Sequence, residues 1–354
     1  MLTSAWPRVP GVAPTLAGQA QVAAAAAAVA DARQVVMPLY ANVGFMPFLK
    51  NLLCSIARIG TVDNHFVVAV DNQTCGALAE PFGLAAPLRC VHPYEGHGAA
   101  NRSKAGADRY KSAGFNAIMI HRVAWNLFLL GRGFSIMHCD LDVVWLHDPR
   151  PVFDTPRYHD MDMLLQSEQV YGYNGGFYLA RARPSVMAGV RHWMADLVHT
   201  WETRPKKFEE QHSLVSMVKL AKRGGVGGNR SLTMSSAKLN HSEFPNGKIW
   251  MFYSAWTSKA AAFIVHMNWL SNGNKKKHRL VRDDLWFLDA DDTRCAAGFD
   301  PLAGTCQRFC VPVQSCVPGK PCAYLTNCAA LRSGPWHNVS RERCEARRTL
   351  VGGS

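Results

Sequence analysis

The chain has 354 residues, of which 48% are hydrophobic and 18% charged, and its formal net charge is +13. This is the composition of a globular protein, and the length allows one large α/β domain plus an appendage. No run of about 20 apolar residues is present, which excludes a membrane-spanning segment within this sequence. The positive charge favours anionic partners, such as nucleotide phosphates, acidic polysaccharide, nucleic acid or a membrane surface, unless it is spread over a solvated surface.

The order of predicted elements indicates an α/β fold. A Pro-, Gly- and Ala-rich leader of about 18 residues precedes an Ala-rich helix over 19–33. Strands are predicted over 34–40, 65–70, 88–91, 134–139, 161–166, 176–180 and 262–265. Helices are predicted over 45–58, 76–82, 116–130, 184–200 and 209–222. Alternation of this kind predicts βαβ units and a parallel sheet, so we divide the chain into a leader with helix (1–33), a main domain (34–289) and a cysteine-rich tail (290–354).

The cysteines and glycosylation sequons favour the secretory pathway. Seven of the eleven cysteines crowd into the tail, namely Cys295, Cys306, Cys310, Cys316, Cys322, Cys328 and Cys344. The tail has no Cys-x-x-Cys pair, which favours disulfides over zinc, and the odd number leaves at least one to stay free or pair elsewhere. Asn-x-Ser/Thr sequons start at Asn72, Asn101, Asn229, Asn240 and Asn338. No signal peptide is recognisable, so we expect an N-terminal anchor that is missing from this sequence.

The run Asp140-Leu141-Asp142 lies between two apolar runs, 134–139 and 143–146. In an extended chain, residues i and i+2 face the same side, so both carboxylates can address one hard cation at the C-terminal edge of a sheet. Such a cation would neutralise the charge of a leaving nucleoside diphosphate. The alternative is a pair of acidic residues that opens a surface loop, which the apolar flanks on both sides disfavour.

Three further runs are candidates for the same site. Asn174-Gly175-Gly176 would let a ligand approach the backbone, or form a tight turn without function. Glu209-Glu210-Gln211 opens a predicted helix, where acidic residues also suit the helix dipole. His266, at the end of a predicted strand, can complete a metal site or be structural, and the nearby triplet Lys275-Lys276-Lys277 can neutralise phosphate.

In this order and spacing, the motifs resemble the nucleotide-diphospho-sugar transferase family of plants and algae, which includes extensin arabinosyltransferases and rhamnogalacturonan-II xylosyltransferases. The resemblance runs from about Val35 to Leu288 and is strongest from Gly133 to Pro149; 174–178, 244–247 and 266–277 add three matches. It implies a GT-A type α/β fold with a central, mostly parallel, nucleotide-sugar-binding sheet. It also implies a glycosyltransferase that moves a pentose, such as arabinose or xylose, from a UDP-sugar with retention.

The resemblance further implies partners and residue roles. The acceptor is a cell-wall glycoprotein or polysaccharide in the Golgi lumen, and no nucleic acid partner is expected. Asp140, Asp142 and His266 are implied to hold Mn²⁺ or Mg²⁺, and Glu210 and Gln211 to be catalytic. Glu210 would act as a nucleophile in a covalent route, whereas a front-face route needs none. Donor contacts are implied for Tyr40, Ala41, Asn42, Arg122, Asp140, Asn174, Gly175, Gly176, Gly273 and Lys277.

Two departures and two rival functions accompany this interpretation. Glu210-Gln211 stands where the family usually shows Asp-Gln, and His121-Arg122 stands where it commonly offers a lysine. One rival is a haloacid-dehalogenase-like phosphohydrolase, with Asp283-Asp284 and Asp291-Asp292 as later magnesium carboxylates; its nucleophile usually ends the first strand, whereas several βα elements come first here. The other is a secreted, non-catalytic binding protein on an inactive transferase fold.

Overall fold

A seven-stranded sheet lies at the centre of the protein. The computed structural model describes residues 13–84, 87–94, 112–168, 172–205, 208–223, 233–252, 257–270, 272–296, 313–315 and 323–325. Its strands are β1 Val35–Ala41, β2 His65–Ala69, β3 Cys90–Val91, β4 Ser135–Cys139, β5 Val143–Trp145, β6 Met163–Glu168, β7 Gly172–Ala180, β8 Ser236–Lys238, β9 Ile264–His266, β10 Val313–Ser315 and β11 Ala323–Leu325. Its helices are α1 Leu16–Val29, α2 Met46–Ile59, α3 Thr74–Ala79, α4 Ala113–Leu130, α5 Pro184–Thr203, α6 Glu210–Lys222, α7 Gly247–Phe252 and α8 Gly273–Arg282, with 3₁₀ turns over Val43–Phe45 and Arg150–Asp154.

The central sheet is mostly parallel. Its strand order is β3-β2-β1-β4-β7-β6-β8, and β7 pairs antiparallel with both of its neighbours while the other pairs are parallel. The C-terminal ends of β1, β4 and β6 therefore lie at one edge, where open α/β sheets bind ligands. A small antiparallel sheet joins β5 to β9, and β10 pairs antiparallel with β11.

Both faces of the central sheet are covered. Met37 and Leu39 of β1 pack into one core with α2 and the β5–β9 sheet. Val36 and Tyr40 pack into a second core with α1, α4, α5 and α6, because successive strand residues face opposite sides. The helix α1, which the sequence placed before the main domain, buries its Val22 in this second core. No helix in the described part of the chain is long and apolar enough to cross a bilayer.

The predicted alternation of strands and helices is confirmed, with shifted boundaries. One shift concerns the candidate site: β7 begins at Gly172, so the Asn174-Gly175-Gly176 run lies inside the strand and not in a turn before it. Helix α8 was not predicted. Its only buried residue is Leu280, so it lacks the apolar stripe by which helices are recognised. The strands β5 and β8, each of three residues, were also not predicted.

Two disulfides cross-link the described residues. Cys54 in α2 is bonded to Cys295, and Cys75 is bonded to Cys90, while Cys139 is free and buried. Cys295 was grouped with the tail by sequence and pairs outside it. The other six tail cysteines lie outside the described residues, so their pairing with one another stays a prediction.

Replacing Cys54 and Cys295 together by Ala should destabilise the protein more than replacing Cys75 and Cys90. The first bond spans 241 residues and the second 15. Loop-closure entropy then gives losses of about 5 and about 3 kcal/mol in the free energy of unfolding, respectively. Urea denaturation of protein made in an oxidising compartment measures both, and a larger loss for the shorter loop would contradict this ranking.

Candidate active site

Asp140 and Asp142 lie between two strands that belong to different sheets. Asp140 directly follows β4, and its backbone N–H donates to the Gly176 carbonyl oxygen at 2.7 Å. Asp142 directly precedes β5, in which Val143 pairs with His266 of β9. The two aspartates therefore occupy a turn and not an extended strand. Pairing between β5 and β9 brings Asp142 to His266.

The side chains of Asp140, Asp142 and His266 converge. One ligand atom from each lies within 4.8 Å of the other two. Nε2 of His266 is 3.2 Å from Oδ1 of Asp142 and 3.8 Å from Oδ2 of Asp140. Carboxylate oxygens suit Mn²⁺ and Mg²⁺, and an imidazole nitrogen is a common third ligand for transition metals. The sequence thus predicted a set of donor atoms that the fold does bring together.

Gln166 fixes the orientation of the His266 ring. Its Oε1 lies 2.8 Å from Nδ1 of His266, and as an amide oxygen it can only accept, so Nδ1 carries a proton. In the neutral ring, Nε2 then presents its lone pair to two carboxylates, an arrangement that requires a proton or a metal cation. Burial alone would lower the pKa of His266, but the Asp142 and Asp140 carboxylates outweigh it and raise the pKa. The residues therefore fit a divalent cation.

In each aspartate, one carboxylate oxygen faces His266 and the other accepts a hydrogen bond from a basic residue. Oδ1 of Asp140 accepts from Nη1 of Arg122 at 2.5 Å, and Oδ2 of Asp142 accepts from Nζ of Lys276 at 2.6 Å. Burial alone would raise the pKa of both carboxyls, but Arg122 and Lys276 outweigh it and hold the pKa of each below its usual range. Both groups are consequently ionised and ready to bind a cation.

Arg122 also holds Glu210 in the wall of the site. Its Nη2 donates to Oε2 of Glu210 at 2.9 Å, while Oε1 has no hydrogen-bond partner among the described residues. Burial raises the pKa of Glu210, although Arg122 opposes that shift. Gln211, next along α6, accepts from Nδ2 of Asn174 at 3.2 Å. The predicted catalytic pair therefore lies beside the predicted metal ligands.

These residues line one cavity of about 910 Å³. The predicted site residues found in its lining are Tyr40, Asn42, Arg122, Asp140, Asp142, Asn174, Gly175, Gly176, Glu210, Gln211, His266 and Gly273. Ala41 is buried in the core at the end of β1 and is not in the lining. The cavity thus collects residues from the C-terminal ends of β1 and β4, from β7, and from the first turns of α6 and α8.

The structure places Lys276, rather than Lys277, at the cavity. Lys276 lies in its lining, three residues after Gly273, whereas Nζ of Lys277 pairs with Asp292 and lies 5.2 Å from the Trp286 ring centroid. Successive helical residues point about 100° apart, so two adjacent lysines cannot both face the site. The donor contact implied for Lys277 is therefore better placed for Lys276.

Comparison with known proteins identifies the family. The sequence profile of the nucleotide-diphospho-sugar transferases matches residues 60–280, well over half of the chain. The chain belongs to this family. The resemblance stated from the motifs is thereby confirmed. The GT-A type α/β fold that it implied is confirmed by this match together with the mostly parallel sheet.

Relatives of this transferase-family member include two plant enzymes. UDP-D-xylose:L-fucose alpha-1,3-D-xylosyltransferase 3 of Arabidopsis thaliana is 25% identical over 275 residues, covering 69% of this chain and 64% of that protein. Beta-arabinofuranosyltransferase RAY1 of the same plant is 23% identical over 289 residues, covering 75% and 50%. The chain therefore spans less than two thirds of their length. The crystal structure of the glycosyltransferase GlyE in Streptococcus pneumoniae matches at a TM-score of 0.44 and 10% identity, covering 73% of this chain and 62% of that one.

Several residues of the candidate site were not found from sequence. They are Gln166, Glu168, His138 and Asn268. Gln166 bonds His266, and His138 lies 3.2 Å from Oδ1 of Asp140 and stacks between two tyrosine rings. Glu168 accepts from Nδ2 of Asn174 at 2.6 Å and of Asn268 at 3.4 Å. Asn268 lay in a motif already singled out. Gln166 meets His266, and Asn268 meets Glu168, across 100 residues, so spacing alone carries no signal for these contacts.

Gly176 should be intolerant of any side chain. A Cβ there would lie 2.2 Å from Cε1 of His266 and 2.6 Å from Oδ2 of Asp140. Gly176→Ala is therefore expected to displace both side chains and to weaken Mn²⁺ binding by about 100-fold or more. Removing a residue that only hydrogen-bonds to a metal ligand typically lowers metal affinity by about 10- to 100-fold. Titration calorimetry with Mn²⁺ measures the change.

The matched control is Gly76→Ala in α3, where a Cβ meets no atom within 4 Å. That variant should bind Mn²⁺ as the unaltered protein does. Unchanged affinity in Gly176→Ala would contradict the placement of the metal between these side chains.

Proposed function

We propose that the protein is a metal-dependent glycosyltransferase that moves a pentose from a UDP-sugar onto a glycoprotein or polysaccharide acceptor, with retention at the anomeric carbon. The observation that carries the proposal is the convergence of Asp140, Asp142 and His266 in the wall of a 910 Å³ cavity. Family membership supports the reaction class. Both plant relatives are named for pentose transfer, one of xylose and one of arabinofuranose, which supports a pentose donor.

Residues of this chain are suited to hold the donor. Asp140, Asp142 and His266 would bind Mn²⁺ or Mg²⁺, which supplies charge neutralisation at the diphosphate when bound. Lys276 would add a positive charge there. The first turn of α8, capped by the Asn272 side chain, presents backbone N–H groups that suit phosphate oxygens.

The predicted nucleotide contacts are supported by position. Tyr40 and Asn42 lie at the end of β1, one strand away from the β4 end that leads to Asp140. The Tyr40 hydroxyl donates to Oδ1 of Asn126 at 2.7 Å, which fixes the ring in the cavity wall. Nδ2 of Asn42 has no hydrogen-bond partner among the described residues, so it is available to a nucleotide.

We place the protein in the Golgi lumen. The two disulfides support an oxidising compartment, and Asn72, which starts a sequon, is exposed. Membrane association belongs to the same proposal.

The proposal is tested by a screen of UDP- and GDP-sugars with Mn²⁺, reading release of the nucleotide. We expect release from a UDP-pentose and none in excess chelator. Release of phosphate from a monoester would support the rival phosphohydrolase instead. That rival is disfavoured because two of its proposed magnesium carboxylates are already paired. Asp283 is hydrogen-bonded to Arg279 and Trp250, and Asp292 to Lys277 and Trp286. A protein that binds donors without releasing nucleotide would be the non-catalytic alternative.

Retention leaves two routes open, and Glu210 distinguishes them. In the covalent route, a Glu210 oxygen would displace the nucleotide from the anomeric carbon, and the acceptor hydroxyl would then displace Glu210 from the opposite face. In the front-face route, the acceptor oxygen would bond to the anomeric carbon on the face from which the nucleotide leaves, and the leaving phosphate would take the acceptor proton. We expect Glu210→Gln to keep at least about a tenth of the activity, because Glu210 is already the counterion of Arg122. Initial rates with the best donor measure this. A loss of over about a thousandfold with an intact fold would favour the covalent route, and an inverted anomer in proton NMR of the product would refute retention.

A further inference from the structure

One aromatic ring is exposed at the mouth of the cavity. Trp269, three residues after His266, lies in the cavity lining and is 50% exposed. Five large apolar side chains are exposed in the described part of the chain, and Trp269 is the one among them that lines the cavity. A ring of this size is usually buried, so its exposure beside a polar site points to a ligand that covers it.

Hydrogen bonds of the preceding residue, Asn268, fix the backbone next to Trp269. Asn268 accepts from the Gly247 N–H at 2.7 Å through Oδ1, and its Nδ2 donates to Glu168 at 3.4 Å. Trp269 itself has a φ of +67°, a left-handed conformation that bulky residues rarely adopt. Surrounding contacts must impose that conformation, and they direct the ring to the surface and not into the core.

The surroundings of the ring match the chemistry of a sugar. Lys248, on α7, lies 4.9 Å from the Trp269 ring centroid, and Asn268 and Glu168 supply donor and acceptor atoms nearby in the cavity wall. A saccharide has an apolar face of C–H groups that packs on an aromatic ring, and hydroxyls at its edges that bond to amides, carboxylates and ammonium groups. An apolar peptide or lipid would form no hydrogen bonds with these polar groups.

The position of the ring separates it from the proposed nucleotide site. Tyr40 lies near the C-terminal end of β1, whereas Asn268 is hydrogen-bonded to Glu168 at the end of β6, and β4 and β7 lie between those two strands. Three inter-strand steps amount to about 14 Å, with Asp140 at the end of the intervening β4. A donor that reaches from Tyr40 to the metal ligands therefore leaves the β6 side of the cavity for the acceptor.

We infer that Trp269, with Lys248 beside it, forms an acceptor subsite that stacks a sugar ring, so that the acceptor is a saccharide and not a bare peptide side chain. This inference rests on the proposed function, because it assumes that the protein transfers a sugar to an acceptor. It adds the chemical class of the acceptor and the residue that recognises it.

Binding to immobilised oligosaccharides tests the inference without transfer. The full chain, loaded with Mn²⁺ and UDP, is applied to an array of neutral and uronic-acid oligosaccharides that also carries hydroxyproline-containing peptides. We expect a subset of saccharides to be bound, Trp269→Ala to lower their affinity at least tenfold, and Trp269→Phe to restore it to within about threefold. Thermal unfolding of each variant checks that the fold is kept.

The matched control is Phe252→Ala, which removes an exposed aromatic ring from α7 that is outside the cavity lining. It should bind saccharides like the unaltered protein. Binding of peptides alone, binding of nothing, full binding by Trp269→Ala, or an equal loss in Phe252→Ala would each overturn the inference. Nucleotide release from donors is measured separately, so a failure of the proposed function is recognised independently of this result.

Discussion

Replacing Asp142 by Asn should abolish sugar transfer while leaving the fold intact. Asp142 offers Oδ1 toward Nε2 of His266 and is held by Lys276 through Oδ2. The amide keeps the size of the side chain but removes the negative charge on which a hard cation depends. We expect turnover to fall by about a thousandfold or more, because the single charge of Lys276 does not replace a divalent cation in offsetting the diphosphate charge. Initial rates and Mn²⁺ titration by electron paramagnetic resonance should both register the loss.

Asp160→Asn is the matched control for this experiment. The Asp160 side chain is 75% exposed and pairs with His159 at the surface. Its amide variant should transfer sugar and bind Mn²⁺ as the unaltered protein does. Full activity in excess chelator, or Asp142→Asn turning over at more than a tenth of the normal rate, would refute the metal site.

Replacing Arg122 by Met should destabilise the protein by about 3–5 kcal/mol, the usual cost of removing one partner from a buried ion pair. The Arg122 side chain is 6% exposed and bridges Asp140 and Glu210, whose side chains are 29% and 8% exposed. Without it, Glu210 in particular would remain as a buried carboxylate with no cation to pair with. Urea denaturation in chelator measures the loss without a contribution from metal binding.

Two further variants show whether the unpaired carboxylate causes the loss of stability in Arg122→Met. Arg191→Met removes an arginine from the exposed face of α5 and should change the free energy of unfolding by less than about 0.5 kcal/mol. Adding Glu210→Gln to Arg122→Met removes the stranded carboxylate and should recover part of the stability. If the free energy of unfolding of Arg122→Met is within about 1 kcal/mol of that of the unaltered protein, the ion pairs of Arg122 do not stabilise the fold.

The three candidate metal ligands could be predicted from sequence because each lies next to an apolar run. The apolar run before Asp140 predicts a buried strand, and the run before His266 is of the same kind. Asp140 follows β4 at the edge of the α/β sheet where ligands bind, whereas His266 ends β9 of the small antiparallel sheet and is brought to the aspartates by the pairing of β9 with β5. The two aspartates lie in a turn, whereas their i, i+2 spacing predicted an extended chain.

The supporting contacts could not be predicted from sequence. Gln166 meets His266 across 100 residues, and Arg122 meets Glu210 across 88. Neither pair shares an element or a repeat, so each depends on how β6, β9, α4 and α6 pack. Such contacts have no local pattern, because they are set by packing distances and not by periodicity.

Local chemistry thus determined the α/β alternation, the family and the three candidate ligands, because hydrophobic periodicity and short motifs act over a few residues. Tertiary structure decided which lysine faces the cavity: in the run Lys275-Lys276-Lys277, the unpredicted helix α8 turns Lys276 toward Asp142 and Lys277 toward Asp292. It also decided that Trp269 stays exposed, since its left-handed backbone is imposed by neighbours distant in sequence. The direction in which a side chain points depends on how whole helices and strands pack, and it cannot be predicted from a short run of residue types.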